Sequence, residues 1–481
     1  MNSFILKLFA ELNSSDVEYC HFKSNNNLIP AVSGVDDLDL LLGSGSVDKF
    51  NEIISSFGFR MAHDRGTQPT PYVYHYFGAD PETGLLVHLH VYFKIVTGGS
   101  IFKNHYLRVE KMFLSNRILD QETKVYIPCA EADCILFVIR KLIEQPSPVE
   151  NFLFYRDLKN ITAELNWLLD RADRGVMLDM INNWLPELDN SLFNNSLDAL
   201  INKGSLISRI SLGIKMRYVF DHKVRGSISA EILRSYQFLY AYARGKFKVK
   251  RKNRFLLPGG LLIAFVGSEA SGKSTLSNNI VEWLSDRFDV VHIHLGKPKK
   301  NWRTKLLWQF IAIYSFFKNL FKINKTPNKD QDFQISINLP HPLVCWLDSI
   351  DRREFIKKYH YMLMEGCTVI TDRYPSEYMD GPRIKGNSRI TNYLSKLETS
   401  NYLSMPHPDL VIKAEAPLEV TLSRNKLRKI PEPESFVRAR FELAKKINFK
   451  YSEMITIDTT NEYSVSLQEV QRIIWRRSTQ R

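Results

Sequence analysis

The feature that most constrains this chain is an eight-residue stretch, Gly267-Ser268-Glu269-Ala270-Ser271-Gly272-Lys273-Ser274, which fills every fixed position of the pattern G-x-x-x-x-G-K-[ST]. An apolar run, 261–266, precedes it, and a helix-compatible run, 275–284, follows. Strand, glycine-rich loop and helix in that order make an anion cradle. The glycines let successive backbone N–H groups turn inward at a helix N-terminus, where the peptide dipoles favour phosphate. Lys273 is then expected to reach the β- and γ-phosphates, and the Ser274 hydroxyl to ligate magnesium. The spacing thus predicts ATP and Mg²⁺ as cofactors, with ATP held by Gly267, Ser268, Glu269, Ala270, Ser271, Gly272, Lys273, Ser274 and Thr275.

The surrounding pattern agrees with such a loop. Beyond about residue 251, apolar strand candidates (261–266, 290–295, 368–371, 410–414 and 454–457) alternate with longer helical segments, which is the mark of a parallel sheet. The third of these strands runs into Asp372-Arg373-Tyr374. An acid there meets magnesium, and an arginine beside it grips an anion with two parallel N–H donors.

These residues together resemble the thymidylate kinase-like branch of the P-loop nucleoside monophosphate kinases, over about 220 residues from Leu261 to Arg481. The likeness rests on an acid in the second variable position of the loop, Glu269, and on a strand ending in Asp372, Arg373 and Tyr374. It also rests on a strand opening with Pro408 and Asp409, on Pro417 and Glu419, and on spaced bases at Arg424, Lys426 and Arg428. The resemblance implies a doubly wound α/β kinase domain with Lys273 and Asp372 catalytic. It implies further catalytic arginines, Arg424 and Arg428, from a lid that closes and excludes water. It also puts Glu269 on the acceptor side, near a sugar hydroxyl. Arg352, Arg353, Arg373, Tyr374 and Arg383 complete the expected acceptor set, so the acceptor is a small anionic molecule. The acceptor loop departs from the family: Glu377 stands where a Ser belongs, no Gln follows, and a basic, aromatic insertion spans 297–334. Thymidylate itself is therefore not the expected acceptor. A carbohydrate kinase serving surface polysaccharide assembly and an NTP-hydrolysing switch with an N-terminal effector domain remain as alternatives.

With 481 residues the chain is expected to hold more than one core. The expected division is 1–125, an α+β domain; 126–250, a helical region and basic linker; and 251–481, the kinase domain. In the first, Asp37 and Asp39 lie two apart on an apolar strand and so share a face. This resembles the polymerase-β-like nucleotidyltransferases, in which such a pair holds magnesium, so Asp37 and Asp39 form a second candidate Mg²⁺ site. The later strand 84–96 offers His88 and His90 instead of a third carboxylate, which points to a catalytically silent domain.

The net charge of +13 is concentrated, with seven Lys or Arg in 244–254 and eight in 297–325, and no acid in either stretch. Such clusters suit phosphates; nucleic acid is not expected. Segment 302–322, with Trp308 and Phe310 among lysines, suits peripheral membrane contact, the alternative being a helix packed on the kinase core. A homo-oligomer is compatible with the sequence. The five scattered cysteines, without C-x-x-C spacing or a leader-like N-terminus, fit a cytoplasmic protein.

Overall fold

The computed structural model describes residues 1–64, 70–99, 102–202, 204–220, 233, 236, 240, 254–257, 259–296, 304–310, 312–313, 341–385 and 388–479. The chain divides between Lys252 and Asn253 into two compact units. Most of the basic stretch 244–254, of the insertion 297–334 and of segment 302–322 lies outside the described residues. No helix among the described residues is long and apolar enough to cross a membrane.

In the first unit, strands Tyr19–His21 (β1), Leu38–Leu42 (β2), Arg60–Asp64 (β3), Val73–Ala79 (β4) and Leu86–Tyr92 (β5) lie in the order β1-β2-β5-β4-β3. β2 runs parallel to β5, while the other pairs are antiparallel. Because side chains alternate along a strand, Leu38, Leu40 and Leu42 face one side with Leu89 and Val91. There they pack against the apolar stripes of helices Ser3–Ser14 (α1) and Val47–Ser56 (α2), through Ile5, Leu8, Phe9, Phe50 and Ile54. Asp39 and His90, paired across β2 and β5, share the opposite face.

The expected strand 84–96 is two strands. Gly84, at φ 73°, closes a turn whose N–H bonds to Asp80, and β5 ends at Tyr92. Ile95–Gly99 (β6) then leaves to pair with Phe102–Leu107 (β7). The boundary expected at 125/126 falls inside one core. Helix Ala130–Glu144 (α3) is apolar almost all round, and its Ile135, Leu136 and Phe137 share a cluster with Phe22, Leu41 and Tyr92 as well as with Phe193 and Phe220.

A buried acid sits in the first turn of α3. Burial pushes the carboxyl pKa of Asp133 up to about 7, against a hydrogen bond that Asn25 Nδ2 donates at 2.7 Å. Its ordinary value is near ~3.9. Between the two, the folded chain keeps a proton that the unfolded chain has released, so stability falls as pH rises from about 4 to about 7. Asp133→Asn keeps an acceptor for Asn25 and should remove this slope. Urea unfolding at pH 5 and pH 8 checks it: the wild type loses stability between the two and the mutant does not. A slope that persists in the mutant assigns the effect to another group.

In the second unit, five parallel strands, Leu262–Gly267 (β8), Val290–His294 (β9), Thr368–Asp372 (β10), Leu410–Glu415 (β11) and Glu453–Asp458 (β12), lie in the order β9-β10-β8-β11-β12. β8 is central and buried at every residue, as a parallel strand covered on both faces must be. Helices Lys273–Ser285 (α4), His341–Met364 (α5), Arg389–Leu403 (α6), Leu418–Lys426 (α7), Glu434–Lys445 (α8) and Tyr463–Thr479 (α9) connect and follow the strands. Register sets Phe265 of β8 beside Asp372, and Gly267 beside Ala414 of β11. The ends of β8 and β10 therefore meet at one edge of the sheet.

Candidate active site

At that edge the chain leaves β8 through Gly267 at φ 141°, Ala270 at φ 58° and Gly272 at φ 90°. A Cβ on Gly267 would lie 2.3 Å from the Ala414 carbonyl oxygen, so only glycine lets the loop pass β11. Gly272 caps α4 without a side-chain hydrogen bond, which leaves the first-turn N–H groups turned toward the loop interior. Lys273 opens α4, is buried, and donates from Nζ to the Ser268 carbonyl inside the loop. Burial pulls its pKa down to about 8, opposed by Glu269 and Asp372 and reinforced by Arg373 and Arg440. A buried ammonium whose proton is this loosely held gains most from a phosphate.

A cavity of about 460 Å³ opens over the loop, lined by residues 269–276 and by Arg373, Arg424, Arg428, Thr459, Asn461, Tyr463 and Ser466. Arg424, on α7, donates to the Thr459 hydroxyl (3.1 Å) and carbonyl (2.6 Å), and Thr459 in turn donates to the Ser271 carbonyl (3.0 Å). Arg373 holds a left-handed backbone at φ 57° and lies 3.0 Å from Glu269 Oε1; Arg428 is 3.5 Å from Oε2. Burial raises the Glu269 carboxyl, but Lys273, Arg373, Arg440 and Arg428 outweigh it and hold the pKa below its usual range.

Asp372 ends β10. Its Oδ1 is buried and makes no hydrogen bond among the described residues, while Oδ2 lies 3.8 Å from His292 Nε2. Burial pushes this carboxyl up, yet the nearby His292 and Ser277 side chains bring the net pKa below the ordinary value, so the charge is kept. The ionised Asp372 carboxylate and the exposed Ser274 hydroxyl are both oxygen donors, the ligand chemistry that suits a hard cation such as Mg²⁺.

The remaining acceptor candidates do not line this cavity. Arg352 is buried and donates to the Asp380 carbonyl, the Tyr402 hydroxyl (3.0 Å) and the Gly296 carbonyl (3.2 Å). Arg353 is held by Glu354 and Asn401 (both 2.7 Å), and Arg383 by Asp348 (2.7 Å). Tyr374 is buried in the core with its hydroxyl donated to the Pro406 carbonyl. Each thus has protein partners away from the cavity.

Arg440 was not singled out by the sequence, yet its Nε lies 3.2 Å from Glu269 Oε1 and its Nη2 lies 2.9 Å from Asp380 Oδ2. A signal existed. Val437 and Ala444 are the buried residues of α8, and Arg440, at i+3 and i−4 from them, stands on the same apolar stripe. Thr459 carries no such signal.

In the first unit, His88 Nδ1 lies 2.9 Å from Asp37 Oδ1, and His90 Nδ1 lies 2.9 Å from Asp39 Oδ1. Lys23 Nζ is 3.5 Å from Asp39 and donates to the Tyr92 hydroxyl at 2.6 Å. Burial pulls His90 down to about 4, so this imidazole is neutral at pH 7. Among the described residues no group of three or more His, Cys, Asp and Glu is arranged to hold a metal ion. The Asp37 and Asp39 carboxylates, expected as a second Mg²⁺ site, are thus each in contact with an imidazole, and Asp39 also with the Lys23 amine.

A central parallel strand running through this loop into a helix, with an acid at the end of the adjacent strand, makes the second unit a P-loop NTPase-like domain. No family model matches the chain. The "Uncharacterized ATP-binding protein YghR" of Escherichia coli (strain K12) is 24% identical over 230 residues, which cover 45% of this chain and 87% of that protein. Its counterpart in Escherichia coli O6:H1 gives the same figures. Among solved structures, thymidylate kinase from Ehrlichia chaffeensis aligns with 19% identity and a TM-score of 0.26, covering 45% of this chain and 100% of that one.

Proposed function

We propose that the second unit transfers the γ-phosphoryl group of ATP to a small anionic acceptor, nucleotide-like or sugar-like. The observation that carries this is the convergence of Arg373, Arg428 and Arg440 on Glu269, a carboxylate inside the phosphate loop itself. Holding a triphosphate needs the loop and Lys273; Arg373 and Arg428, which line the cavity beside this acid, supply further charge for a second anionic molecule. The similarity to the ATP-binding protein YghR supports ATP as the donor.

In this reading Lys273 and the loop N–H groups bind the triphosphate, and Ser274 and Asp372 hold Mg²⁺. When bound, the ion neutralises phosphate charge. Arg424 and Arg428 line the cavity and offset charge on the transferring group. An acceptor oxygen forms the new bond to the γ-phosphorus as the bond to the β,γ-bridging oxygen breaks, and ADP leaves with the electron pair. Glu269 is a poor base, because four surrounding cations favour its ionised form. It serves better as a hydrogen-bond acceptor for acceptor hydroxyls, and the attacking oxygen is one already ionised, as on a phosphate. Of the acceptor residues expected from the sequence, Glu269 and Arg373 keep that role. For the first unit we propose no nucleotidyl transfer, since His88, His90 and Lys23 engage its paired acids.

A screen with γ-labelled ATP tests the reading. Thymidylate is expected to be a poor acceptor, and a phosphorylated or acidic sugar, free or nucleotide-borne, a better one. Thymidylate turnover with kcat/KM above about 10⁴ M⁻¹s⁻¹ would overturn the acceptor assignment. Hydrolysis of ATP with no labelled product from any acceptor would replace the kinase by an NTP-hydrolysing switch.

A further inference from the structure

Arg440 joins two acids that belong to different parts of the second unit. Its Nε faces Glu269 in the phosphate loop at 3.2 Å, and its Nη2 reaches both oxygens of Asp380, at 3.1 and 2.9 Å. Asp380 closes the turn that follows Asp372, Arg373 and Tyr374. That turn is held shut by Ser376, whose N–H donates to the Met379 carbonyl at 2.8 Å and whose hydroxyl accepts from the Met379 N–H at 3.1 Å. Asp380 itself has φ 61°, a left-handed backbone that a non-glycine residue keeps only when its surroundings impose it. Arg352 imposes it from the carbonyl side and Arg440 from the carboxylate side.

Arg440 is not among the residues lining the cavity, whereas Glu269, Arg373 and Arg428 are. Its side chain is only 15% exposed, between acids that are 2% and 14% exposed. So it does not meet a bound molecule; it sets the two groups that do or that lie next to it. A planar guanidinium spreads its charge over a fixed fork, so Arg440 hydrogen-bonds Asp380 through Nη2 while Nε stands in ion-pair contact with Glu269, and an ammonium on a flexible stem cannot hold that geometry.

We propose that Arg440 is the positioning residue for the phosphoryl acceptor, locking the Glu269 carboxylate and the 376–380 turn into one arrangement. This rests on the kinase reading for its acceptor, but the clamp is a property of the fold and can be read without turnover.

The test uses the full chain and the variants Arg440→Met, Arg440→Lys, Asp380→Asn and the double mutant Arg440→Met with Asp380→Asn. Limited trypsin digestion followed by mass spectrometry reads cleavage after Arg383 and Lys385, just beyond the turn. Losing a charged, buried bridge should speed that cleavage by about tenfold in Arg440→Met and Asp380→Asn, with the double mutant no faster than Arg440→Met. Fluorescent ADP-analogue binding should stay within about twofold of wild type. With the best acceptor of the screen, KM for the acceptor should rise about tenfold while kcat changes far less, and Arg440→Lys should behave like Arg440→Met. Unchanged cleavage overturns the clamp. So does an acceptor KM that rises only in step with a loss of nucleotide affinity, which would put Arg440 on the triphosphate. Faster cleavage in a protein whose wild type phosphorylates no acceptor sinks the kinase reading and leaves the clamp standing.

Discussion

Lys273→Ala should abolish phosphoryl transfer while leaving the nucleotide-free protein at least as stable as wild type. Lys273 is buried, its ammonium donates to the Ser268 carbonyl, and burial pulls its pKa down to about 8. The apo protein therefore carries an ammonium that it would sooner see neutral, and removing it relieves desolvation. Catalysis loses the one cation inside the loop. Deleting a comparable preorganised charge-stabilising group costs about 3–4 kcal/mol in the transition state, or roughly 10²–10³ in kcat. Two measurements check this together. The thermal midpoint without nucleotide should hold or rise, and the upward shift that saturating ATP gives the wild type should shrink, since a ligand stabilises only as far as it binds. Near-normal turnover in a folded mutant would remove Lys273 from the site.

Asp372→Asn should separate metal dependence from nucleotide binding. Asparagine keeps the shape at the end of β10 but loses the ionised oxygen that has no hydrogen-bond partner among the described residues. Affinity for ATP in EDTA should stay level or improve, because a negative charge leaves the neighbourhood of the phosphates. The gain on adding Mg²⁺ should disappear, and kcat should fall by about 10²–10³. Titrations of a fluorescent ATP analogue with and without Mg²⁺ supply the comparison. An unchanged Mg²⁺ profile would reduce Asp372 to a strand-end residue held by His292.

The three inner strands of the second unit were legible within one or two residues because strands buried on both faces are written as apolar runs. Segments 368–371 and 410–414 became Thr368–Asp372 and Leu410–Glu415. The loop was legible because backbone geometry forces its spelling: a side chain at Gly267 would strike the Ala414 carbonyl. Segment 84–96 was misread as one strand, since apolar composition continues through the residues where β6 turns away to a different partner. The core crossing 125/126 was hidden for a related reason, as composition changes there while the packing of Phe22 and Tyr92 against α3 does not.

The arginines mark the limit most clearly. Arg352, Arg383 and Arg440 are spelled alike, and their neighbours in sequence do not reveal their partners. Arg383 meets Asp348, 35 residues away, and Arg440 meets Asp380, 60 away. The sequence alone determined that a phosphate loop follows a buried strand and that an acid ends a neighbouring one, because local backbone sterics and strand burial admit few residue types there. Only the tertiary structure decided which guanidiniums converge on Glu269 and which merely hold the acceptor loop. Charge pairing depends on distance through space, and the crossovers of a parallel sheet bring together residues that the chain keeps far apart.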